Sequence, residues 1–358
     1  MPKRMIIALD AMGGDRGPEA VVAGAEQSLA RHPDMRFLFV GDGSRIGPLL
    51  TKYPALQGRC DIDHADLVVA MDDKPSEALR RGRWKSSMWR SIEATKSGHA
   101  AFTVSGGNTG ALMAMAKFCL KTMPGIERPA IAAIWPTVKA ECLVLDVGAT
   151  VEATADQLVT FAFLGAAMAR ALQKSDRPSV ALLNIGVEEM KGLEPIKEAH
   201  AKLRAMRLPF DYKGFVEGDG IGHDAADVVV TDGFTGNIAI KTAEGTAKQV
   251  GAYLRAAMEQ SLLSQLGGFI AQDAFRLLKA RMDPRRSNGG VFLGLNGLVI
   301  KSHGGADATG YASAIDLGYD MARAGVVERT RADLAEAARS RVTAEGLVEQ
   351  QAAGGNSG

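Results

Sequence analysis

The stretch AAFTVSGGNTGALMAMAKF, residues 100–118, joins a strand-like run to a helix-like run through a short polar segment. Residues 101–104 form a short and mostly apolar run, which predicts the end of a buried β-strand. Residues 105–110, Ser-Gly-Gly-Asn-Thr-Gly, then place glycines and small polar residues in the connection. The apolar residues that follow at helical spacing are Leu112, Met115, Ala116 and Cys119. The segment therefore predicts a strand, a glycine-rich turn and a helix, in that order.

Short apolar runs alternate with helix-length segments along the rest of the chain. Strands are predicted at Met5–Leu9, Phe37–Val40, Leu67–Ala70, Ala101–Val104, Ile131–Trp135, Leu143–Leu145, Val180–Leu183, Val228–Thr231 and Leu298–Lys301. This alternation predicts an α/β fold with a mainly parallel sheet and helices on both faces. No repeat or low-complexity linker interrupts it, so we expect one domain over residues 1–345, with two lobes around a cleft. The tail at 346–358 lacks periodicity and is predicted to be disordered.

Composition and charge narrow the class of protein. The 358 residues carry a net charge of +1, which gives no global attraction to nucleic acid or to a membrane. The three cysteines form no CxxC pair, which favours a reducing compartment and argues against a disulfide framework. The N-terminal apolar run has about five residues, fewer than the roughly 7–15 of a signal peptide. No run approaches the roughly 18 apolar residues of a membrane span. We expect a cytoplasmic protein with at most peripheral membrane contact.

Several well-known site motifs are missing from the sequence. It contains no GxxxxGKS/T phosphate loop, no GxGxxG after the first strand and no GxSxG nucleophile turn. The six histidines show no metal-binding spacing. We therefore expect neither a metal nor a cofactor.

Six apolar runs end in the same way, with a polar residue and a nearby glycine. They are IIALDAMGGD, FLFVGDG, FTVSGGNTG, LVLDVGAT, ALLNIGV and VVVTDGFTGN. Turn formation alone would explain one or two such ends. Since parallel strands place their carboxyl ends at one edge, where ligands bind, we expect the six ends to share one polar rim over a cleft.

The glycine-rich connection predicts an anion site. Glycine leaves backbone N–H groups accessible, and the first N–H groups of a helix carry the positive end of its dipole. Asp232, Gly233 and Gly236 repeat this design ahead of Lys241, one helical turn beyond Asn237. We expect the turn to seat a phosphate-sized anion. The predicted phosphate-binding residues are Ser105, Gly106, Gly107, Asn108, Thr109, Gly110, Lys191 and Lys241.

Taken together, the motifs resemble the PlsX-type phosphate acyltransferases, the acyl-ACP:phosphate enzymes of bacterial phospholipid synthesis. The blocks that carry the resemblance are LDAMGGD (9–15), SGGNTGALM (105–113), LDVGA (145–149), LLNIGVEEMKG (182–192), ADVVVTDGFTGNIAIKT (226–242) and VIKSHGGAD (299–307). They keep the order of that family from Met5 to about Val342. Two positions depart from its usual pattern: Thr150 stands where asparagine is usual, and Gly106 where alanine is commoner.

The resemblance implies a fold similar to that of isocitrate and isopropylmalate dehydrogenases and of phosphotransacetylases, and a homodimer. It implies that acyl-ACP and inorganic phosphate give acyl-phosphate and free carrier, the product passing to a membrane glycerol-3-phosphate acyltransferase. Phosphate itself attacks the thioester, so the protein needs only to position the reactants and stabilise charge. The expected catalytic residues are Asn108, Asn184, Asn237, Lys241 and His303. The residues expected to orient the loops are Asp10, Gly13, Gly14, Asp15, Asp146, Thr150 and Asp232.

Two segments are candidates for partner contacts. Residues 80–96 include six basic residues and one acidic residue, a pattern that would attract an acidic acyl carrier protein, with an ordinary solvated face as the alternative. The candidate carrier-binding residues are Arg80, Arg81, Arg83, Lys85 and Arg90. Residues 252–283 predict amphipathic helices broken at Gly267 and Gly268, within a helical hairpin at about 246–283. The residues expected at a subunit or membrane contact there are Phe269, Ile270 and Phe275.

Three other functions stay open at this point. A phosphotransacetylase acting on acyl-CoA would share the anion site and differ in the thiol carrier. A non-catalytic carrier-binding or membrane scaffold would need the two partner segments but not the polar strand ends. A nicotinamide dehydrogenase is the remaining alternative, and it would require NAD binding.

Overall fold

The computed structural model describes residues 4–173, 175–281 and 288–335, so the predicted tail lies outside the described residues. The strands are β1 (Met5–Asp10), β2 (Met35–Gly41), β3 (Cys60–His64), β4 (Phe102–Ser105), β5 (Ala130–Pro136), β6 (Glu141–Leu145), β7 (Ser179–Leu183), β8 (Asp211–Val216), β9 (Val228–Val230), β10 (Gly290–Leu293) and β11 (Leu298–Lys301). The helices are α1 (Gly17–Arg31), α2 (Gly43–Leu50), α3 (Pro75–Gly82), α4 (Ser87–Lys96), α5 (Thr109–Leu120), α6 (Ala155–Gln173), α7 (Glu194–Ala205), α8 (Gly233–Glu259), α9 (Leu262–Ile270), α10 (Gln272–Arg281) and α11 (Ala308–Ala324).

These strands form one sheet in the order β3-β2-β1-β4-β11-β10-β5-β6-β9-β7-β8. The first parallel group runs from β3 to β11, and the second runs from β6 to β8. Between them, β10 is antiparallel to both of its neighbours and β5 is antiparallel to β6. The predicted α/β fold with a mainly parallel sheet is confirmed, and the two parallel groups run in opposite directions.

The two parallel groups end at neighbouring levels of the sheet. Ser105, the last residue of β4, is level with Lys301 and, through β10, with Ala133 of β5. Leu145, the last residue of β6, is level with Ala132, the adjacent residue of β5. The carboxyl ends of the two groups therefore lie at nearly the same level of the sheet, although the strands reach it from opposite directions. The prediction that all six polar strand ends share one rim over a cleft stays a prediction, with the strand direction reversed between β5 and β6.

Helices cover both faces of this sheet. Leu298 and Ile300 of β11 join a large core cluster that also contains side chains of α1, α6 and α11. Val299, between them, joins a second cluster that contains side chains of α4 and α5. Successive side chains of a strand point to opposite faces, so this division places α1 and α11 on one face and α4 and α5 on the other.

The predicted strands differ from the structure in two ways. The predicted strand Leu67–Ala70 is not a strand, since only an isolated bridge joins Leu67 to Ser86. Three strands, β3, β8 and β10, were not predicted. β3 and β8 lie at the two edges of the sheet, where one side of a strand faces solvent, and their sequences CDIDH and DYKGFV contain no continuous apolar run.

The predicted helical hairpin also differs in its limits. α8 runs without interruption from Gly233, well before residue 246, and the break at Gly267 and Gly268 is not present. The chain instead leaves helix before α9, where the Ser261 side chain accepts the N–H of Ser264 as an N-cap, and again at Ala271. Residues 282 and 283 of the predicted segment lie outside the described residues. Within the described ranges, no helix combines the length and the apolar character needed to cross a bilayer.

Candidate active site

The glycine-rich turn lies at the carboxyl edge of the first parallel group, packed against the loop that follows β1. The Ser105 hydroxyl donates to Oδ2 of Asp10 at 2.6 Å, and the Gly107 N–H donates to Oγ of Ser105 at 3.1 Å. A Cβ at Gly13 would lie 2.6 Å from Asp10 Oδ2 and 2.8 Å from the Gly107 nitrogen. Gly13 therefore allows the two loops to meet, which a larger residue would prevent.

Asp10 is enclosed at this meeting point. It is 1% exposed, and its Oδ1 has no hydrogen-bond partner among the described residues. Burial raises the pKa of Asp10, and the hydrogen bond from Ser105 opposes that rise. Asp10 therefore acts on the turn through Ser105 and is shielded from solvent.

Asn108 has a capping role that occupies its whole side chain. Its Oδ1 accepts the N–H of Ala111 as the N-cap of α5, and its Nδ2 donates to the carbonyl oxygens of Met71 and Asp73. Both amide N–H groups are thus already used, so the expected donation from this side chain to phosphate is corrected. The N–H groups of the first helical turn, at Thr109 and Gly110, have no partner within the helix and remain suited to an anion.

His303 reaches the same edge on the loop after β11. Its side chain is exposed, and its Nδ1 accepts the N–H of Gly305 at 3.2 Å, which leaves Nε2 to carry the proton in the neutral ring. The Gly304 carbonyl oxygen accepts the N–H of Asp15 at 2.8 Å and so ties this loop to the one after β1. The structure therefore brings together four predicted elements, the 105–110 turn, Asp10, Asp15 and His303.

Asn288 holds the His303 loop, and its sequence context does not reveal this role. Its Oδ1 accepts the N–H of His303, and its Nδ2 donates to Ser302 Oγ and to the carbonyl oxygen of Gly310. The sequence places Asn288 before an unpredicted strand, so only the fold shows the contact.

Lys301 is a second residue that the motifs did not single out. It ends β11 beside Ser105, and its ammonium donates to the carbonyl oxygen of Gly106 at 3.3 Å. Burial lowers the pKa of Lys301 to about 8, the carboxylates of Asp10 and Asp15 raise it, and the charge of Lys241 lowers it further. The signal in the sequence was a lysine at the end of an apolar run, in VIKSHGG.

Lys241 approaches this site from the other parallel group. It lies eight residues after the start of α8, about 12 Å along the helix. Its side chain is exposed, and its charge acts on Lys301. The prediction that Lys241 belongs with the 105–110 turn remains a proposal, and this electrostatic proximity supports it.

The carboxyl ends of the second parallel group form a second edge, which carries another set of the predicted residues. Asp146 accepts the N–H groups of Ile131, Gly148, Ala149 and Thr150, together with the Thr150 hydroxyl. Burial raises the pKa of Asp146, and these hydrogen bonds oppose the rise. A single carboxylate thus holds the whole 146–150 loop.

The start of α8 is pressed against this loop. The Thr150 hydroxyl accepts the N–H of Gly233 at 3.2 Å, and Asp232 caps the helix by accepting the N–H of Thr235. A Cβ at Gly236 would lie 2.0 Å from the Asp146 carbonyl oxygen. Gly233 and Gly236 therefore serve close packing, which differs from the expected exposure of backbone to a ligand.

Three predicted residues belong to this second edge, namely Asn184, Lys191 and Asn237. Asn184 donates to the carbonyl oxygens of Gly186 and Lys191, and Asn237 donates to that of Val147. Lys191 makes an exposed ion pair with Glu188 at 2.9 Å. Asn184 and Asn237 therefore hold loops through these bonds, and the expected grouping of Asn184 and Lys191 with the turn stays a prediction.

A cavity of about 760 Å³ also opens at this second edge. Its apolar lining includes Val151, Leu193, Ile196 and Phe234. Its charged lining is mixed, with Lys117 and Arg128 beside Glu127, Glu152 and Asp232. The 105–110 turn does not line it, so the cavity and the anion site are separate features of the surface.

The basic segment is only partly available to a partner. Arg81 pairs with Asp73 at 2.5 Å, and Arg90 pairs with Asp63. The Arg83 guanidinium stacks 3.9 Å from the ring centroid of Trp84 and 4.2 Å from that of Phe118. Of the five candidate residues, Arg80 and Lys85 are exposed and make no ion pair within the described part of the chain.

Comparison with known proteins places the chain among acyltransferases. A family model described as "Fatty acid synthesis protein" matches residues 5–329. The phosphate acyltransferase of Xanthobacter autotrophicus is 61% identical over 328 residues, which cover 92% of each chain. The phosphate acyltransferase of Rhizobium rhizogenes is 59% identical over 329 residues, covering 92% of this chain and 94% of the relative.

A solved structure agrees on the fold. A phosphotransacetylase from Streptococcus pyogenes superposes with a TM-score of 0.61 over 90% of this chain and 95% of its own, at 19% identity. At that identity the likeness concerns the fold alone, and it confirms the expected similarity to phosphotransacetylases.

Proposed function

The chain belongs to the fatty acid synthesis protein family and is an acyltransferase, and on that premise we propose that it transfers a fatty acyl group from an acyl carrier protein to inorganic phosphate. The product would be an acyl-phosphate for phospholipid synthesis, made in the cytoplasm. Acyl transfer to phosphate is the activity for which the relatives are named, and the carrier thioester as donor is our inference.

The observation that carries the proposal is the turn at 105–110. It presents the first N–H groups of α5 at a sheet edge, beside glycines that permit close approach and near Lys241. A phosphate seated there would attack the thioester carbonyl, and the thiolate would leave with a thiol pKa near 8.5. The protein then contributes position and positive charge, and no side chain has to form a covalent intermediate. The thiolate leaves without being protonated first, and the Nε2 N–H of His303 would donate a hydrogen bond to the leaving sulfur.

The direct experiment incubates the purified protein with palmitoyl-ACP and labelled phosphate and measures labelled acyl-phosphate. We expect product with palmitoyl-ACP and much less with palmitoyl-CoA. Product from palmitoyl-CoA alone would support a phosphotransacetylase-type activity, which the shared fold favours as the second candidate. No product from either donor would refute the proposal.

Single substitutions test the assigned residues. Lys241→Met should raise the KM for phosphate, because Lys241 binds the anion. His303→Ala should lower kcat, because the Nε2 N–H of His303 stabilises the leaving sulfur. Lys248→Met is the matched control, since Lys248 is an exposed lysine further along the same helix. Unchanged kinetics in both variants would remove Lys241 and His303 from the site.

For the carrier protein we propose the surface around Trp84. This side chain is 59% exposed, and its backbone has a positive φ of 64°, rare for a bulky residue. Trp84 and Phe118 sandwich Arg83, and Arg80 and Lys85 add charge that would attract an acidic partner. Arg81 and Arg90 remain part of the proposal, and their ion pairs with Asp73 and Asp63 reduce the free charge that they bring to this surface.

Binding of palmitoyl-ACP at several salt concentrations checks this surface. Arg80→Glu should weaken binding and flatten its salt dependence, whereas Trp84→Ala should weaken binding without changing the salt dependence. Lys197→Glu, on α7, is the charge-reversal control. If the Arg80 and Trp84 variants bind as the wild type does, the surface around Trp84 does not bind the carrier and is an ordinary solvated face.

The α9 helix offers an apolar surface for a subunit or a membrane. Phe269 is 67% exposed and Ile270 is 76% exposed, while Phe275 of α10 is half-buried. A homodimer contact and a peripheral membrane contact, which would place acyl-phosphate beside a membrane glycerol-3-phosphate acyltransferase, both fit this surface. Phe269→Asp with Ile270→Asp should abolish liposome co-sedimentation in the membrane case. In the dimer case, the same variant should sediment as a monomer.

A further inference from the structure

The ammonium of Lys301 contacts the backbone of the 105–110 turn. Lys301 ends β11, and its Nζ donates to the carbonyl oxygens of Gly106 and Ser302, one on each side of the strand end. An ammonium has three N–H donors, so one remains after these two bonds. Because two backbone carbonyls fix the ammonium, its position does not depend on an ion pair.

The ammonium of Lys301 is not neutralised by a carboxylate in direct contact with it. No carboxylate in the described ranges lies within ion-pair distance of its Nζ. The titratable groups that act on it are Asp10 at the end of β1, Asp15 in the loop after it, and Lys241 of α8. Lys241 likewise makes no ion pair among the described residues. Two ammonium groups that repel each other would both be stabilised by a doubly charged anion placed between them.

An anion on the turn would also need a cation nearby. The first-turn N–H groups supply partial positive charge, but Asp15 lies beside the turn and a phosphate dianion would be repelled by its carboxylate. The exposed Lys241 reaches the site on a flexible side chain, whereas Lys301 is already in place. The fixed lysine is therefore the better source of the charge that offsets this repulsion.

We propose that Lys301 is a phosphate-binding residue of this enzyme, donating its free N–H to an oxygen of the phosphate seated on the 105–110 turn, with Lys241 as a second cation. This inference rests on the proposed function and names a residue of its phosphate site that the sequence motifs left unassigned.

The proposal has a pH consequence that distinguishes binding from a structural role. The pKa of Lys301 is lowered to about 8, chiefly by burial. As the pH rises through that value the free protein loses the ammonium, so phosphate affinity should fall. Lys301→Arg keeps a positive charge throughout this range. Its phosphate affinity should therefore stay constant where that of the wild type declines.

Calorimetric titration of inorganic phosphate into the full-length protein, without any acyl donor, is the experiment. Lys301→Met should bind phosphate about 10- to 100-fold more weakly than the wild type, and Lys301→Arg should lose much less. Lys197→Met, on α7, where Lys197 is ion-paired with Glu194, is the lysine control and should bind as the wild type does. The series is repeated from about pH 7 to about pH 9, around the lowered pKa.

Wild-type affinity in Lys301→Met, or a parallel pH decline in the wild type and Lys301→Arg, would overturn the assignment. If Lys301→Met does not fold, the comparison of the wild type with Lys301→Arg still decides it. The two proposals fail differently. A wild type that neither binds phosphate nor forms acyl-phosphate refutes the proposed function, whereas a wild type that forms acyl-phosphate while Lys301→Met binds phosphate normally refutes only the role of Lys301.

Discussion

The hydroxyl of Ser105 donates a 2.6 Å hydrogen bond to Oδ2 of Asp10, although the two residues are 95 positions apart in the sequence. This bond joins the ends of two adjacent parallel strands, and the Gly107 N–H bonds to the same hydroxyl oxygen. The shape of the anion turn therefore depends on a pair of buried side chains beneath it.

Ser105→Ala should destabilise the protein and weaken phosphate binding. The change leaves Oδ2 of Asp10 and the Gly107 N–H without their partner, at a cost of about 1–3 kcal/mol in the free energy of unfolding. Urea denaturation measures that cost. Ser97→Ala is the control, because Ser97 is exposed and bonds only to the carbonyl of its own helix. Equal stability of the two variants would contradict a structural role for the Asp10–Ser105 pair.

Gly236→Ala should disrupt the second edge of the sheet. The added Cβ would lie 2.0 Å from the carbonyl oxygen of Asp146, so α8 or the 146–150 loop must move. We expect a loss of stability of about 3 kcal/mol or more. Gly245→Ala is a matched control on the same helix, where no atom lies within 4 Å of the added Cβ. It should stabilise the helix by about 0.5–1 kcal/mol, and thermal unfolding of the two variants should shift in opposite directions.

Thr150→Val should separate the contribution of the hydroxyl from that of the side-chain shape. Valine fills a similar volume but can neither donate to Asp146 nor accept from the N–H of Gly233. We expect a loss of about 1–3 kcal/mol, measured by urea denaturation. Thr150→Asn restores a donor and an acceptor and should recover part of that loss. A Thr150→Val variant as stable as the wild type would show that neither bond matters.

The stability of the protein should depend on pH through Lys301. Its pKa is about 8 in the folded protein against an ordinary value of 10.5, so the unfolded chain binds more protons between these values. The contribution of Lys301 to the free energy of unfolding therefore rises with pH across that window and is lowest below about pH 8.

Comparison with Lys301→Met isolates this effect, because the variant lacks the titrating group. The stability of the variant relative to the wild type should be greater at about pH 7 than at about pH 10, by about 1–3 kcal/mol. Urea denaturation at the two pH values measures it. A difference independent of pH would show that the ammonium is not shielded from solvent.

Much of the site was predictable because its parts are local. The glycine-rich turn and the α5 helix follow from residues within a few positions of one another, whereas the capping roles of Asn108 and Asp232 were not predicted. The edge strands β3 and β8 were not predicted, because a strand that is exposed on one side need not be apolar.

The sequence alone determined the fold class, the position of the anion turn and its glycines, since apolar periodicity and turn chemistry are properties of short segments. Only the tertiary structure decided that the strand direction reverses between β5 and β6, so that the two parallel groups end at nearly the same level from opposite directions. It also brought Lys301 to the carbonyl of Gly106, 195 residues away. The physical reason is that strand direction and side-chain contacts across the sheet depend on how distant segments pair, which no local pattern encodes.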